Sequence, residues 1–295
     1  MAGSERPFGL EGPLGPWRPL DAWVAGYALL ASLVLGVGAV RGVPGCSTQA
    51  GLDLALATGV FGLARCTRAT LNAPLTVLRL FYPVLLYLVF YRQVQTLWPV
   101  LHSRPLDGIL AALELRLWRV QPALAFQPAF PFRWLSELFC LAYFAYYLFV
   151  PAVGLTALLT RGYATAERII LGTTRIFLLC YTFFWLLPTV GPHFWFPPGL
   201  GPVLYQGYCF NHLLFFFTSG GEIRGGAFPS SHIAVAVALT LFARIDTPRL
   251  FPAMAAITLL MLPGVVYLHA HYLLDVPAGL VVGFLGYAWS RWISR

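Results

Sequence analysis

Residues 229–245 begin Pro229-Ser230-Ser231-His232-Ile233-Ala234-Val235-Ala236-Val237-Ala238-Leu239, and residues 271–275, one apolar run later, read His271-Tyr272-Leu273-Leu274-Asp275. Each string puts ionisable side chains where an apolar run meets the water interface. Runs of this kind recur along the whole chain. Lipid is therefore the solvent, and an all-α integral membrane bundle is the fold, because a backbone in lipid must satisfy its own hydrogen bonds. Ionisable groups are costly in such a bundle and mark candidate functional positions.

Working outward, apolar runs occupy 20–40, 74–97, 134–158, 168–190, 229–245, 251–269 and 272–291. Each is near the length that crosses about 30 Å of hydrocarbon. A shorter run at 51–66 reads either as an eighth span or as a re-entrant segment. The expectation is a polytopic bundle of seven or eight transmembrane helices. Residues 1–19, rich in Gly and Pro, read as a flexible tail. Residues 20–97 hold the N-terminal transmembrane helices, and 98–295 the region that carries the chemistry.

Composition narrows the function. Of 295 residues, 59% are hydrophobic and 10% charged, against about a quarter charged in a soluble domain. The net charge of +8 rests on arginine alone, since there is no lysine. That excludes a phosphate-loop lysine and a Schiff base. Arginines scattered singly at the ends of apolar runs are topology signals, so no nucleic-acid partner is expected. Cys46, Cys66, Cys140, Cys180 and Cys209 lack metal-ligand spacing and read as small buried hydrophobes, although Cys46 and Cys209 could meet on one side of the membrane. There is no HExxH, and neither a metal nor another cofactor is expected.

Two long connections interrupt the apolar rhythm. In residues 98–133, Leu106, Ile109, Leu110, Leu113 and Leu117 recur at helical spacing among Asp107, Glu114, Arg116 and Arg119, which predicts an amphipathic interfacial helix near 106–118. Residues 191–228, with Gly191-Pro192-His193, Gly220-Gly221 and Gly225-Gly226, read as a lid or re-entrant loop beside a site. Arg161, Arg168, Arg244, Arg249, Arg291 and Arg295 assign their connections to the cytoplasm. His193, His212, His232, His269 and His271, and with them His102, then face the extracytoplasmic side, in what is expected to be the plasma membrane.

The chemistry follows from residue type and spacing. His271 and Asp275, four apart at a helix start, share a face. A carboxylate on one imidazole nitrogen fixes the tautomer and leaves the other nitrogen as a nucleophile for phosphorus. His232, at the mouth of its span, is placed to protonate a leaving alkoxide. Ser230 or Ser231 caps that helix, whose free N–H groups suit a phosphate oxyanion. The plainer alternatives are a simple helix cap at Ser230-Ser231-His232 and a structural His271–Asp275 pair.

Pro-Ser-x-His followed by His-x-x-x-Asp resembles the type 2 phosphatidic acid phosphatase (PAP2) superfamily, over roughly residues 98–291. Gly226-Ala227-Phe228-Pro229-Ser230-Ser231-His232, His271 to Val276, Leu141 to Tyr147 and Pro188-Thr189-Val190-Gly191-Pro192 are similar to its inositol-phosphorylceramide synthase-like branch. The resemblance implies a PAP2-like six-helix catalytic core and metal-independent turnover through phosphohistidine. In it His271 is the nucleophile, Asp275 its partner and His232 the acid. A membrane lipid or polyprenyl phosphate ester is the implied substrate, with a polar alcohol as possible acceptor.

The chain departs from the superfamily pattern in its cations. The phosphatase-type motif Lys-x6-Arg-Pro is missing, and the Arg expected six positions before the nucleophile is Val265. Candidate substitutes for the phosphate clamp are Arg224, His193 and His269, with Arg175 a weaker one, beside Ser230 and Ser231. Transfer of a phosphate-containing head group is slightly favoured over hydrolysis to the free alcohol. A transport or proton-sensing membrane protein is the reading from another class.

Overall fold

A computed structural model describes residues 17–66, 73–197, 207–218 and 223–293. Nearly all of the expected tail, and Gly220-Gly221, lie outside the described residues. The described elements are helices. α1 (Pro19–Val40) and α2 (Cys46–Cys66) form a hairpin, and α3 (Ala73–Leu101) packs beside it. The short α4 (Asp107–Trp118) and α5 (Pro122–Ala129) follow, then α6 (Arg133–Tyr146), α7 (Phe149–Arg161) and α8 (Tyr163–Leu186). α9 (Pro192–Trp195) and α10 (Phe210–Thr218) lie in the long connection, before α11 (Ser231–Asp246), α12 (Phe251–Tyr267) and α13 (Asp275–Ile293).

The apolar runs became helices where they were expected, and the 51–66 run belongs to a 21-residue helix, α2. Among the described residues three helices are long and apolar enough to cross a membrane: Pro19–Val40, Pro74–Leu101 and Tyr163–Leu186. The pair α6 and α7, bent by 46°, makes a fourth if counted as one span. α11 and α12, at 16 and 17 residues, reach only about 25 Å at 1.5 Å per residue.

Glycines set the closest approaches. A Cβ on Gly279 would lie 2.6 Å from the Ser230 carbonyl oxygen, and one on Gly283 would lie 2.5 Å from that of Ala234. α13 therefore rides directly on α11, the small-residue packing that membrane helices use in place of a hydrophobic drive. This contact joins the two sequence strings, and the Ser230 amide donates to the Asp275 carbonyl at 3.1 Å.

The polar pattern of α4 runs opposite to an ordinary amphipathic helix. Asp107 and Glu114, two turns apart on one face, are fully buried, while Ile109, Leu113 and Leu117 face outward. A face turned to lipid wants leucine, and the buried acids find backbone donors. Cys46, Cys140 and Cys180 are buried as expected, whereas Cys209 is exposed; none of these four is in a disulfide, so Cys46 and Cys209 do not meet.

Candidate active site

α11 starts at a real cap. The Ser230 hydroxyl accepts from the Ile233 amide at 3.3 Å, and its side chain is fully buried outside the cavity lining. Ser231 and His232 line a cavity of about 560 Å³. His232 sits among tyrosines, its ring centroid 4.6 Å from Tyr143, 5.1 Å from Tyr146 and 6.4 Å from Tyr147.

His271 and Asp275 meet, although not as two turns of one helix. α13 begins at Asp275, and His271 lies in the reverse turn before it. The Asp275 carboxylate closes that turn by accepting from the Tyr272 amide at 2.8 Å, and it stands 3.2 Å from His271 Nδ1. The same nitrogen is 2.8 Å from the Ala227 carbonyl oxygen. A carbonyl only accepts, so Nδ1 carries the proton and the lone pair of the neutral ring sits on Nε2. Nε2 faces His232 Nδ1 at 3.3 Å, and His232 donates across that contact. Asp275, His271 and His232 thus form one line running from a buried carboxylate to the cavity wall.

Sequence reasoning missed what holds this line in place. Asp107 accepts from the amides of Val190 and Gly191 at 2.8 and 2.9 Å and from the Tyr272 hydroxyl at 2.9 Å. Glu114 accepts from the Leu274 amide at 2.9 Å. The buried face of α4 therefore grips the turn at two points just after His271, Tyr272 and Leu274, and ties it to Val190 and Gly191. Burial pushes the Glu114 carboxyl up to about 7, against the pull of the Leu274 and Leu273 amides. Burial also raises Asp107, its three donors opposing. The seven-residue spacing of two acids in an otherwise leucine-rich helix was the available signal.

A second set of bonds aligns the segment that carries Ala227. The Ala227 amide donates to the Thr189 carbonyl at 3.1 Å, and the Phe228 amide to the Thr189 hydroxyl at 2.8 Å. Gly191 takes φ +87° where a Cβ would press on the Ala270 carbonyl at 3.2 Å.

The expected cationic substitutes separate. His193 lines the cavity, its backbone amide donating to the His269 carbonyl at 3.1 Å. His269 turns away: it sits in the left-handed region at φ +58°, with its side chain buried outside the cavity lining. Burial, and next the neighbouring His193, push its imidazole down to about 4. Arg224 is exposed, its guanidinium 5.5 Å from the Phe194 ring that forms part of the cavity wall. Arg175 lies elsewhere, between Trp23 and Trp289. Among the described residues the cavity lining contains no arginine.

What remains is a deep apolar chamber walled by tyrosine and phenylalanine, with the three-residue line at its rim. Phosphoryl transfer at an ester attached to a greasy tail fits that division. The family model of the PAP2 superfamily matches residues 109–289, more than half the chain, and the protein belongs to that superfamily, whose members are phosphatases or phosphotransferases. No curated protein and no solved structure matches the chain.

Proposed function

We propose that the protein is a membrane lipid phosphotransferase that works through phosphohistidine, with His271 as nucleophile, Asp275 as its orienting partner and His232 as acid and then base. The observation that carries this reading is the Asp275–His271–His232 line ending in the cavity. His271 Nε2 forms a bond to phosphorus, the P–O bond to the lipid alcohol breaks, and His232, entering as imidazolium, gives a proton to the leaving oxygen and is left as neutral imidazole. In the second step His232 takes a proton from the acceptor hydroxyl, that oxygen attacks phosphorus and the P–N bond breaks. In-line attack needs phosphorus about 3–3.5 Å from Nε2, the position His232 holds at 3.3 Å. Substrate must therefore part the two rings.

Transfer of a phosphate-containing head group is favoured over hydrolysis because no Lys or Arg lines the cavity among the described residues. A phosphate monoester brings two negative charges and wants fixed cations, whereas a phosphodiester brings one. Ser231, His193 and Arg224 are the side chains placed nearest for the phosphate, and the acceptor is a polar alcohol. We assign the chain on the same grounds to the inositol-phosphorylceramide synthase-like branch, and so to sphingolipid chemistry. The fuller topology belongs to this reading: seven or eight crossings, with a catalytic region over 98–295 after N-terminal helices over 20–97. The histidines then open on the extracytoplasmic side of the plasma membrane.

A labelled phospholipid donor should place an acid-labile, alkali-stable phosphate on His271. Product analysis with the acceptor alcohol supplied and withheld separates transfer from hydrolysis. Full turnover in His271→Ala would sink the mechanism, and unchanged lipids in the wild type would leave the transport reading.

A further inference from the structure

The part of the bundle away from the histidines carries a second cavity of about 410 Å³, between α1, α8 and α13. Gly172 faces Ser290 and Ile176 faces Gly286, so Arg175 lies level with the last turns of α13, roughly 20 Å along that helix from Asp275. Arg175 is only 8% exposed, and its Nε is buried without a hydrogen-bond partner. Among the described residues no carboxylate pairs with it, in contrast to Arg18, Arg79 and Arg168. Its guanidinium is held between two indoles, 5.4 Å from the Trp23 ring and 4.8 Å from the Trp289 ring. Ring faces soften such a charge without neutralising it. From there the cavity follows Gly26, Leu30 and Leu179 along the helices, an apolar groove one turn at a time.

We propose that this cavity binds the phosphate head group of an anionic membrane lipid on Arg175, with an acyl chain laid along Gly26, Leu30 and Leu179. The two tryptophans mark head-group level, where indoles gather in membrane proteins. A buried guanidinium in lipid calls for a counter-charge, and the described residues supply none. This site is separate from the catalytic cavity, whose lining shares no residue with it.

The test is native mass spectrometry of the full chain in detergent, titrated with phosphatidylglycerol, with diacylglycerol of the same chains, and with inorganic phosphate. The wild type should retain phosphatidylglycerol at least about tenfold more tightly than diacylglycerol, with inorganic phosphate failing to displace it. Arg175→Gln should lose that preference. Gly26→Leu is the second variant: a side chain there meets nothing within 4 Å, so it fills the groove without straining the fold. It should also lose the retained lipid while keeping the melting temperature of the delipidated protein. Equal retention in the wild type and both variants overturns the proposal. So does loss in only one of them, because head group and chain must act together, and so does displacement by free phosphate.

Discussion

The two ends of this bundle keep their carboxylates in opposite ways. At one end, Asp21 is 2.7 Å from the Arg79 guanidinium and also accepts from the Tyr82 hydroxyl at 3.0 Å, while Asp246 takes Arg168 at 2.6 Å. At the other, Asp107, Glu114 and Asp275 are as deeply buried, yet among the described residues none has an arginine partner. Their partners are backbone amides, a tyrosine hydroxyl and an imidazole. A charge pair fastens one helix to another and ends there. A carboxylate held by backbone donors fixes the course of a loop, and one held by histidine fixes a proton. The first end is a set of staples, and the second is a positioning device.

The contrast can be broken at four points. His271→Ala should lower turnover by about 10⁴-fold or more while leaving thermal stability in detergent nearly unchanged, since the staples are untouched. Arg79→Met should do the reverse, costing about 3–5 kcal/mol of stability because Asp21 is left buried without its hydrogen-bonded guanidinium, with turnover in the surviving folded fraction preserved. A turnover loss matching that of His271→Ala would erase the distinction between the ends.

Asp107→Asn tests the positioning function directly. It keeps one acceptor oxygen but turns an amide group toward a donor, at a cost of about 1–3 kcal/mol. Turnover should fall about tenfold with little change in KM, because the His271 turn shifts and the lipid cavity does not. A rise in KM alone would place Asp107 in binding instead.

The smallest effect is the most diagnostic. Glu114 binds its proton more tightly in the folded protein than its ordinary value near 4.5 allows, up to about 7. The folded state therefore holds more protons than the unfolded chain between those values, and Glu114 contributes stability at low pH that is lost as pH rises through about 7. Glu114→Gln should flatten the dependence of melting temperature on pH over that window. An unchanged slope would mean that Glu114 is not the group that titrates.

Much of this was legible in the sequence, for reasons particular to each part. Long apolar runs in lipid have few alternatives to helix, so α1, α3, α8 and α11 appear where hydropathy put them. The convergence of His232, His271 and Asp275 was readable because α11 and α13 are joined by one out-and-back run. Pattern could not reveal which way α4 faces, because alternating acids and leucines look alike whether water or lipid lies outside. It also missed the left-handed backbone at His269, whose buried side chain lies outside the cavity lining. Ser230 was readable as a cap, which its bond to the Ile233 amide makes it.

The inverted face of α4 bears on any attempt to make this enzyme soluble. Polar substitutions at Ile109, Leu113 and Leu117 would be spent on the right side, since those side chains point outward. A redesign guided by hydropathy alone would count Asp107 and Glu114 as already solvated, and would treat them as free to exchange. They are the two anchors on which the turn carrying His271 rests, so a water-soluble variant retains its chemistry only if its most polar-looking helical positions are left alone.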